Sequence, residues 1–332
     1  MTDAKPLDVV GIGNALVDVL SHENDSFLTE HGLMKGGMSL ADADRAHALY
    51  DAMGPTTSVS GGSAANTMVG IASFGGSAAF IGRVRDDELG EVFTHDIRAS
   101  GVRFGTAPAT EGPATGRCLV VVTPDAERTL TTFLGAAAEI GPEDVDAELI
   151  ASAEVTYLEG YLFDQPSAKE AFRCAATAAH ESGRRVALTL SDFGCVDRHR
   201  DDFLTLVDRE VDILFANEAE ICALYEVSDF DAALQRVSKH CEVAALTRSA
   251  RGSIVVSGDE VHVADAHPVD GSVVDTTGAG DAYAAGFLFG FTHGHDLGRC
   301  GRLGSLAASE VIAHLGPRPE TSLKDLAAPV LQ

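Results

Sequence analysis

Six short apolar runs, separated by stretches with helical spacing, set the limits on what this chain can fold into. They cover residues 8–13, 78–81, 155–158, 186–190, 213–216 and 243–247. The first, Asp-Val-Val-Gly-Ile-Gly, is closed by glycines, as expected of a buried strand whose carboxyl end opens onto a site. Helical patterns such as residues 167–181 and 231–240 lie between the runs. Strands alternating with helices in this way form a parallel sheet covered on both faces, so the fold class is α/β. At 332 residues, with 45% hydrophobic residues and 34 glycines, the chain has ample core and many tight turns. Its length suits one large α/β domain with insertions as well as it suits two domains.

Two regions break the rhythm, residues 16–59 and 102–136. In the second, residues 117–123 and 128–133 read as strands flanking Pro124-Asp125. Strands attached above the carboxyl edge of a parallel sheet overhang its ligand crevice. The expectation is therefore one domain over residues 1–332, with a lid made by these two insertions.

Charge narrows the partners. With 24 basic and 50 acidic residues the formal net charge is −26, a field that repels phosphate backbones and anionic lipid. Nucleic acid and membrane are thereby excluded as partners, and a small molecule is expected; the acidity serves solubility. A bound nucleotide would need backbone N–H groups and a cation to offset that field. The six cysteines show no C-x-x-C pair, as expected of reduced thiols. No apolar run reaches the roughly 18 residues of a membrane span. The chain is expected in the cytoplasm, as a monomer or homodimer.

The most specific motif is Asp275-Thr276-Thr277-Gly278-Ala279-Gly280-Asp281, which precedes a helical pattern over residues 282–292. Small residues at a helix start let the backbone approach a ligand and aim unpaired N–H groups at one point, where the helix dipole adds positive potential. Such a point favours an oxyanion, including a phosphoryl group in transfer. A carboxylate in that first turn can take the proton of an attacking hydroxyl. An Asp beside a helix start can also be a plain cap.

At this string the chain resembles the ribokinase-like kinases, the family of ribokinase, fructokinases, B-type phosphofructokinases and adenosine kinases. The resemblance implies a three-layer αβα sandwich around a mainly parallel sheet, with a small β-strand lid, and ATP-dependent phosphorylation of an alcohol. It makes Asp281 the base, Gly278, Ala279 and Gly280 the anion hole, and Asp275 and Thr277 a site for a monovalent cation such as K+.

Other segments extend the resemblance in the family's order, to Gly316. Gly61-Gly62-Ser63-Ala64-Ala65-Asn66 looks like the substrate signature, with Gly62 and Asn66 at sugar hydroxyls. Gly13-Asn14-Ala15-Leu16-Val17-Asp18 resembles the first sugar-binding loop, with Asn14 and Asp18 reaching the substrate. Asn217 and Glu220 match the N-x-x-E motif that organises Mg2+, Glu220 acting largely through water; they also read as an ordinary helix cap. Thr247 and Gly252 match the turn at the nucleotide phosphates, with Arg248 and Arg251 either near phosphate or in solvent. Arg128 aligns with a lid arginine that reaches the transferring phosphate. Ser305 stands in the segment around the ATP base, where several relatives have Asn.

The opening loop, the Gly-Gly-Ser-Ala-Ala-Asn string and Arg128 resemble the adenosine-kinase branch, and Tyr161 falls where an aromatic ring would stack on adenine or simply fill the core. The expected reaction is transfer to the 5'-hydroxyl of a nucleoside, adenosine to AMP. A sugar kinase for ribose, fructose or 2-keto-3-deoxygluconate is the alternative, and a basic residue in the acceptor pocket would point to an acid substrate. A non-catalytic sensor would need a degraded base or anion hole, and both are intact. The chain has no Walker motif, Leu16 stands where a dinucleotide fingerprint needs glycine, and the histidines lack zinc-ligand spacing.

Overall fold

The computed structural model describes residues 7–125 and 127–331. The strands in chain order are β1 (Leu7–Ile12), β2 (Leu16–His22), β3 (Met38–Leu40), β4 (Thr56–Gly61), β5 (Ala78–Ile81), β6 (Arg103–Phe104), β7 (Gly116–Val122), β8 (Arg128–Phe133), β9 (Ala153–Glu159), β10 (Arg185–Thr189), β11 (Ile213–Asn217), β12 (Val243–Thr247), β13 (Ser253–Ser257) and β14 (Glu260–Ala264). Nine of them form one sheet in the order β14-β13-β12-β11-β10-β9-β1-β5-β6. Pairing is parallel from β12 through β6, and β13 and β14 are added antiparallel at one edge.

Alternate side chains along each central strand enter different cores, which explains why the runs are apolar at nearly every position. Val9, Val155, Tyr157, Ile213 and Phe215 join one core with Met68 and Phe287, from helices Ser63–Ser73 and Ala279–Thr292. Val10, Ile12, Leu158, Val186 and Leu214 join the other with Phe172 and Phe203, from helices Pro166–Glu181 and Phe193–Arg209. The result is the expected three-layer αβα arrangement.

The remaining strands form a separate sheet, β3-β8-β7-β2-β4. Both rhythm-breaking regions thus converge on one structure, with Leu16 paired to both Gly61 and Gly116. One boundary shifts. Arg103 and Phe104 pair with Ala79 and Phe80, so the second region opens by completing the large sheet before it crosses to the small one. A two-residue strand is too short to show a period in sequence.

Two glycines hold the layers close to the site. Gly62 has φ 102°, and a Cβ there would lie 2.0 Å from the Asn14 carbonyl oxygen, so the strand-to-helix turn needs glycine. At Gly286 a Cβ would lie 2.3 Å from the Leu303 carbonyl oxygen, which places the helices Ala279–Thr292 and Leu297–Val311 in backbone contact. Among the described residues no helix is long and apolar enough to cross a membrane.

Candidate active site

The carboxyl ends of the parallel strands β1, β9, β11 and β12 lie along one edge of the large sheet, and there Glu159 at the end of β9 meets the amino end of helix Ser63–Ser73, which in turn meets that of helix Ala279–Thr292 through Ser63 and Asp281. Asp281 sits in the first turn of the second helix. Its Oδ1 accepts from Ser63 Oγ at 2.6 Å and its Oδ2 from Asn66 Nδ2 at 3.4 Å. Burial pushes its pKa up to about 7; the Ser63 and Asn66 bonds oppose the rise, and the nearby charges of Glu159 and Asp18 add to it. The residue as a whole is half-buried. A base with this pKa is half ionised at neutral pH, the range that suits proton transfer. Since only the ionised form accepts a proton, kcat/KM is expected to fall as pH drops through about 7, and more steeply below about 6, where Asp18 also protonates. A pH–rate profile flat from 8 to 5 would contradict this.

Gly278 caps the helix in the left-handed conformation at φ 76°. The expected trio of amides is corrected in one member: Ala279 N–H already donates to the Thr276 carbonyl at 3.2 Å. The N–H groups of Gly278, Gly280 and Asp281 have no acceptor among the described residues, and Gly280 faces open space. The amides open to an oxyanion are those three.

Asp275 anchors the loop before them. Its Oδ1 accepts from Thr277 N at 2.9 Å, and its Oδ2 accepts from Gly316 N at 3.0 Å and from Arg128 Nη1. Burial works against its charge, but these donors outweigh it and hold the carboxyl below its ordinary range. A carboxylate already facing three donors does not fit the monovalent-cation site expected at Asp275 and Thr277. Arg128, buried on β8, instead ties the small sheet to the loop before Asp281, and its Nε has no acceptor among the described residues.

Around the Asp281 helix start the structure brings Asn14, Asp18, Gly62 and Asn66 near one another, together with Ser63, Glu159 and Arg318. Glu159 ends β9 fully buried and accepts from Asn14 Nδ2 at 2.6 Å, Asn14 N at 3.3 Å and Ala64 N at 2.8 Å. Asn14 is thus fixed by Glu159, while its buried Oδ1 has no partner among the described residues. Arg318 Nε donates to Asn66 Oδ1 at 2.9 Å and its Nη1 to Ser60 Oγ at 2.8 Å. Burial raises the Asp18 pKa to about 6 against the pull of Arg318 and Arg128. Tyr161 lies in the turn after β9, half-buried, its backbone N–H on Ser191 Oγ at 3.2 Å. Its phenol is pushed up by burial and by the charges of Asp192, Asp281, Glu159 and Glu220.

On the opposite side Asn217 and Glu220 form a capping box. Glu220 N–H donates to Asn217 Oδ1, and both Glu220 oxygens accept from Asn217, at 2.9 and 2.6 Å. Burial raises Glu220 to about 7, and the charge of Asp192 adds to that. Thr247 ends β12, and Gly252, whose carbonyl accepts from Arg248 N at 2.8 Å, closes the turn into β13. Arg248 and Arg251 both pair with Glu218, and Arg248 lies 4.0 Å over the Phe230 ring. Ser305 is buried on the helix Leu297–Val311, which packs along the helix bearing Asp281.

Residues 46–323 match the family described as pfkB family carbohydrate kinase. The chain belongs to the pfkB family. It is therefore a kinase that transfers a phosphoryl group to an alcohol, and kinases of the pfkB family use ATP. This pfkB-family chain is 53% identical to the adenosine kinase of Sinorhizobium meliloti, with a TM-score of 0.90 over 98% of this chain and 99% of the other. It is 49% identical to a probable sugar kinase from Rhizobium etli CFN 42, with a TM-score of 0.91 over the same shares. Among curated relatives, the adenosine kinase of Saccharomyces cerevisiae is 29% identical over 93% of this chain and 96% of the yeast protein. The pfkB-family site thus sits between relatives that differ in acceptor.

Proposed function

We propose that the chain phosphorylates the 5'-hydroxyl of a nucleoside, converting adenosine to AMP with ATP as donor. The observation that carries this reading is the placement of Asp281 between two groups: open amides at Gly278, Gly280 and Asp281, and the hydroxyl-binding cluster of Asp18, Asn66 and Arg318. The acceptor's primary hydroxyl lies against Asp281, gives up its proton as its oxygen attacks phosphorus in line, and the amides take the charge that builds on the phosphoryl oxygens. Tyr161 offers a flat ring for a base, and the likeness to the Sinorhizobium enzyme supports adenosine.

A sugar kinase is favoured by one specific observation, the guanidinium of Arg318 in the acceptor pocket, since a cation there would welcome an acid. Asp18 answers it. Asp18 and Asp281 lie in the same cluster as Arg318, so its charge is offset and the pocket does not favour a net anion.

Glu220 and Asp192 form a negative spot with no Lys or Arg paired to either among the described residues, which fits a hydrated cation. Glu220 already accepts two bonds, so it and Asn217 would hold Mg2+ through water. Such an ion supplies neutralisation of the nucleotide phosphates.

The deciding measurement is ATP consumption with adenosine, other nucleosides, ribose, fructose and 2-keto-3-deoxygluconate. Adenosine is expected to give the highest kcat/KM. A sugar in that place moves the assignment to a carbohydrate kinase, and silence across the panel favours a sensor.

A further inference from the structure

Arg318 follows Gly316-Pro317 and reaches the acceptor pocket from a part of the chain that carries none of the family's hydroxyl-binding motifs. Two of its nitrogens are pinned, Nε on Asn66 and Nη1 on Ser60. The third, Nη2, is buried and has no acceptor among the described residues. A buried guanidinium N–H without a partner is costly, so the site has a reason to be completed by something that binds there.

Asp18 is the complementary half. No group donates a hydrogen bond to its carboxylate among the described residues, and it keeps partial access to the cleft. Arg318 Nη1 sits on Ser60 Oγ at 2.8 Å, and a Cβ on the next residue, Gly61, would lie 2.6 Å from the Asp18 carboxyl, so the two charges flank the same end of β4, yet no nitrogen–oxygen pair between them falls within 4.0 Å. Opposite charges this near would normally close into a forked pair. Here Asn66 and Ser60 hold the guanidinium back, while β2 holds Asp18 on the other side. A gap between a fixed donor and a fixed acceptor suits a hydroxyl, which accepts from one and donates to the other. Neither an amine nor a carboxylate satisfies both sides.

We propose that Arg318 fixes the acceptor's vicinal diol: it turns the Asn66 amide so that Nδ2 faces Asp281 and, across the gap, donates to the diol hydroxyl whose proton is accepted by Asp18. The proposal rests on the nucleoside reading and adds to it the residue that selects a ribose over a deoxyribose. A site built around a hydroxyl rejects the analogue that lacks it, because donor and acceptor are then left unmatched. A guanidinium serving only to hold the fold would affect every acceptor equally.

The test compares kcat/KM for adenosine, 2'-deoxyadenosine and 3'-deoxyadenosine in wild type, Arg318→Gln and Arg318→Lys. Wild type is expected to prefer adenosine over one of the two analogues by about tenfold or more. Arg318→Gln should raise KM for adenosine more than it lowers kcat, and should shrink that preference to within about threefold. Arg318→Lys keeps a charge and a donor but cannot hold Asn66 and Ser60 together, so it should fall between. An unchanged preference in either variant, or no preference in wild type, overturns the proposal. If Arg318→Gln does not fold, the Lys variant decides by the same ratio. If wild type does not use adenosine at all, the nucleoside reading falls, and Arg318 is judged by the same ratio on the sugar that wild type does use and its deoxy analogue.

Discussion

Asp281→Asn is expected to lower kcat by about 10² to 10⁴ while leaving the affinity for acceptor and nucleotide within a few-fold of wild type. Asparagine keeps the shape and can still meet Ser63 and Asn66, so the loss isolates proton acceptance. Steady-state kinetics with the best acceptor check it, and a variant turning over at the wild-type rate would remove Asp281 from the chemistry. Stability should move the other way. The folded-state pKa of Asp281 lies above its ordinary 3.8, at about 7. The folded protein therefore retains a proton that the unfolded chain has released, and stability declines as pH rises through that window. Asparagine escapes this cost, which is at most about 4 kcal/mol and is reduced by the solvent access of the cleft. Asp281→Asn should accordingly melt higher than wild type at pH 8, with the advantage fading toward pH 4. An enzyme that carries a destabilising charge where it needs a base shows the trade between stability and activity at a single atom pair.

Glu159→Ala is expected to be the most damaging substitution to folding near the site. It strands the Asn14 N–H, the Asn14 amide and the Ala64 N–H in a place closed to water. Leaving several buried donors without an acceptor costs on the order of 3–5 kcal/mol, a fall in melting temperature of about 4–7 °C for a chain of this size. Glu159→Gln should cost less, because one oxygen still accepts. Thermal and urea unfolding of the two variants measure the difference, and an alanine variant as stable as wild type would show that water reaches those donors. Activity should fall as well, since Ala64 lies in the first turn of the helix that carries Asn66, and Asn14 leads into β2, which carries Asp18.

The strands of the large sheet could be read from sequence because both of their faces are buried, so nearly every position is apolar; β5 and β12 have the expected bounds. β14 escaped because it is the edge strand, where Glu260, Val261 and Val263 face solvent and the pattern is mixed. Asp281 and the loop before it were legible because all their determinants lie within seven consecutive residues. Glu159 and Arg318 were not, because each acts through partners about a hundred residues or more away, such as Ala64 and Asn66. A lone charge ending an apolar strand was the only local trace of Glu159. Glu220 was legible as part of an N-x-x-E motif, but that spacing also suits a capping box, and only coordinates show both of its oxygens turned onto Asn217.

The glycine contact between the helices Ala279–Thr292 and Leu297–Val311 bears on how acceptor range can diversify. With backbone touching backbone at Gly286, the helix that presents Asp281 has no slack to slide or tilt toward a bulkier guest. The reacting end is in effect a fixed die. Variation in what is phosphorylated has to be written into the strands of the small sheet and the short segment around Arg318, which can change residue by residue without disturbing the geometry of transfer.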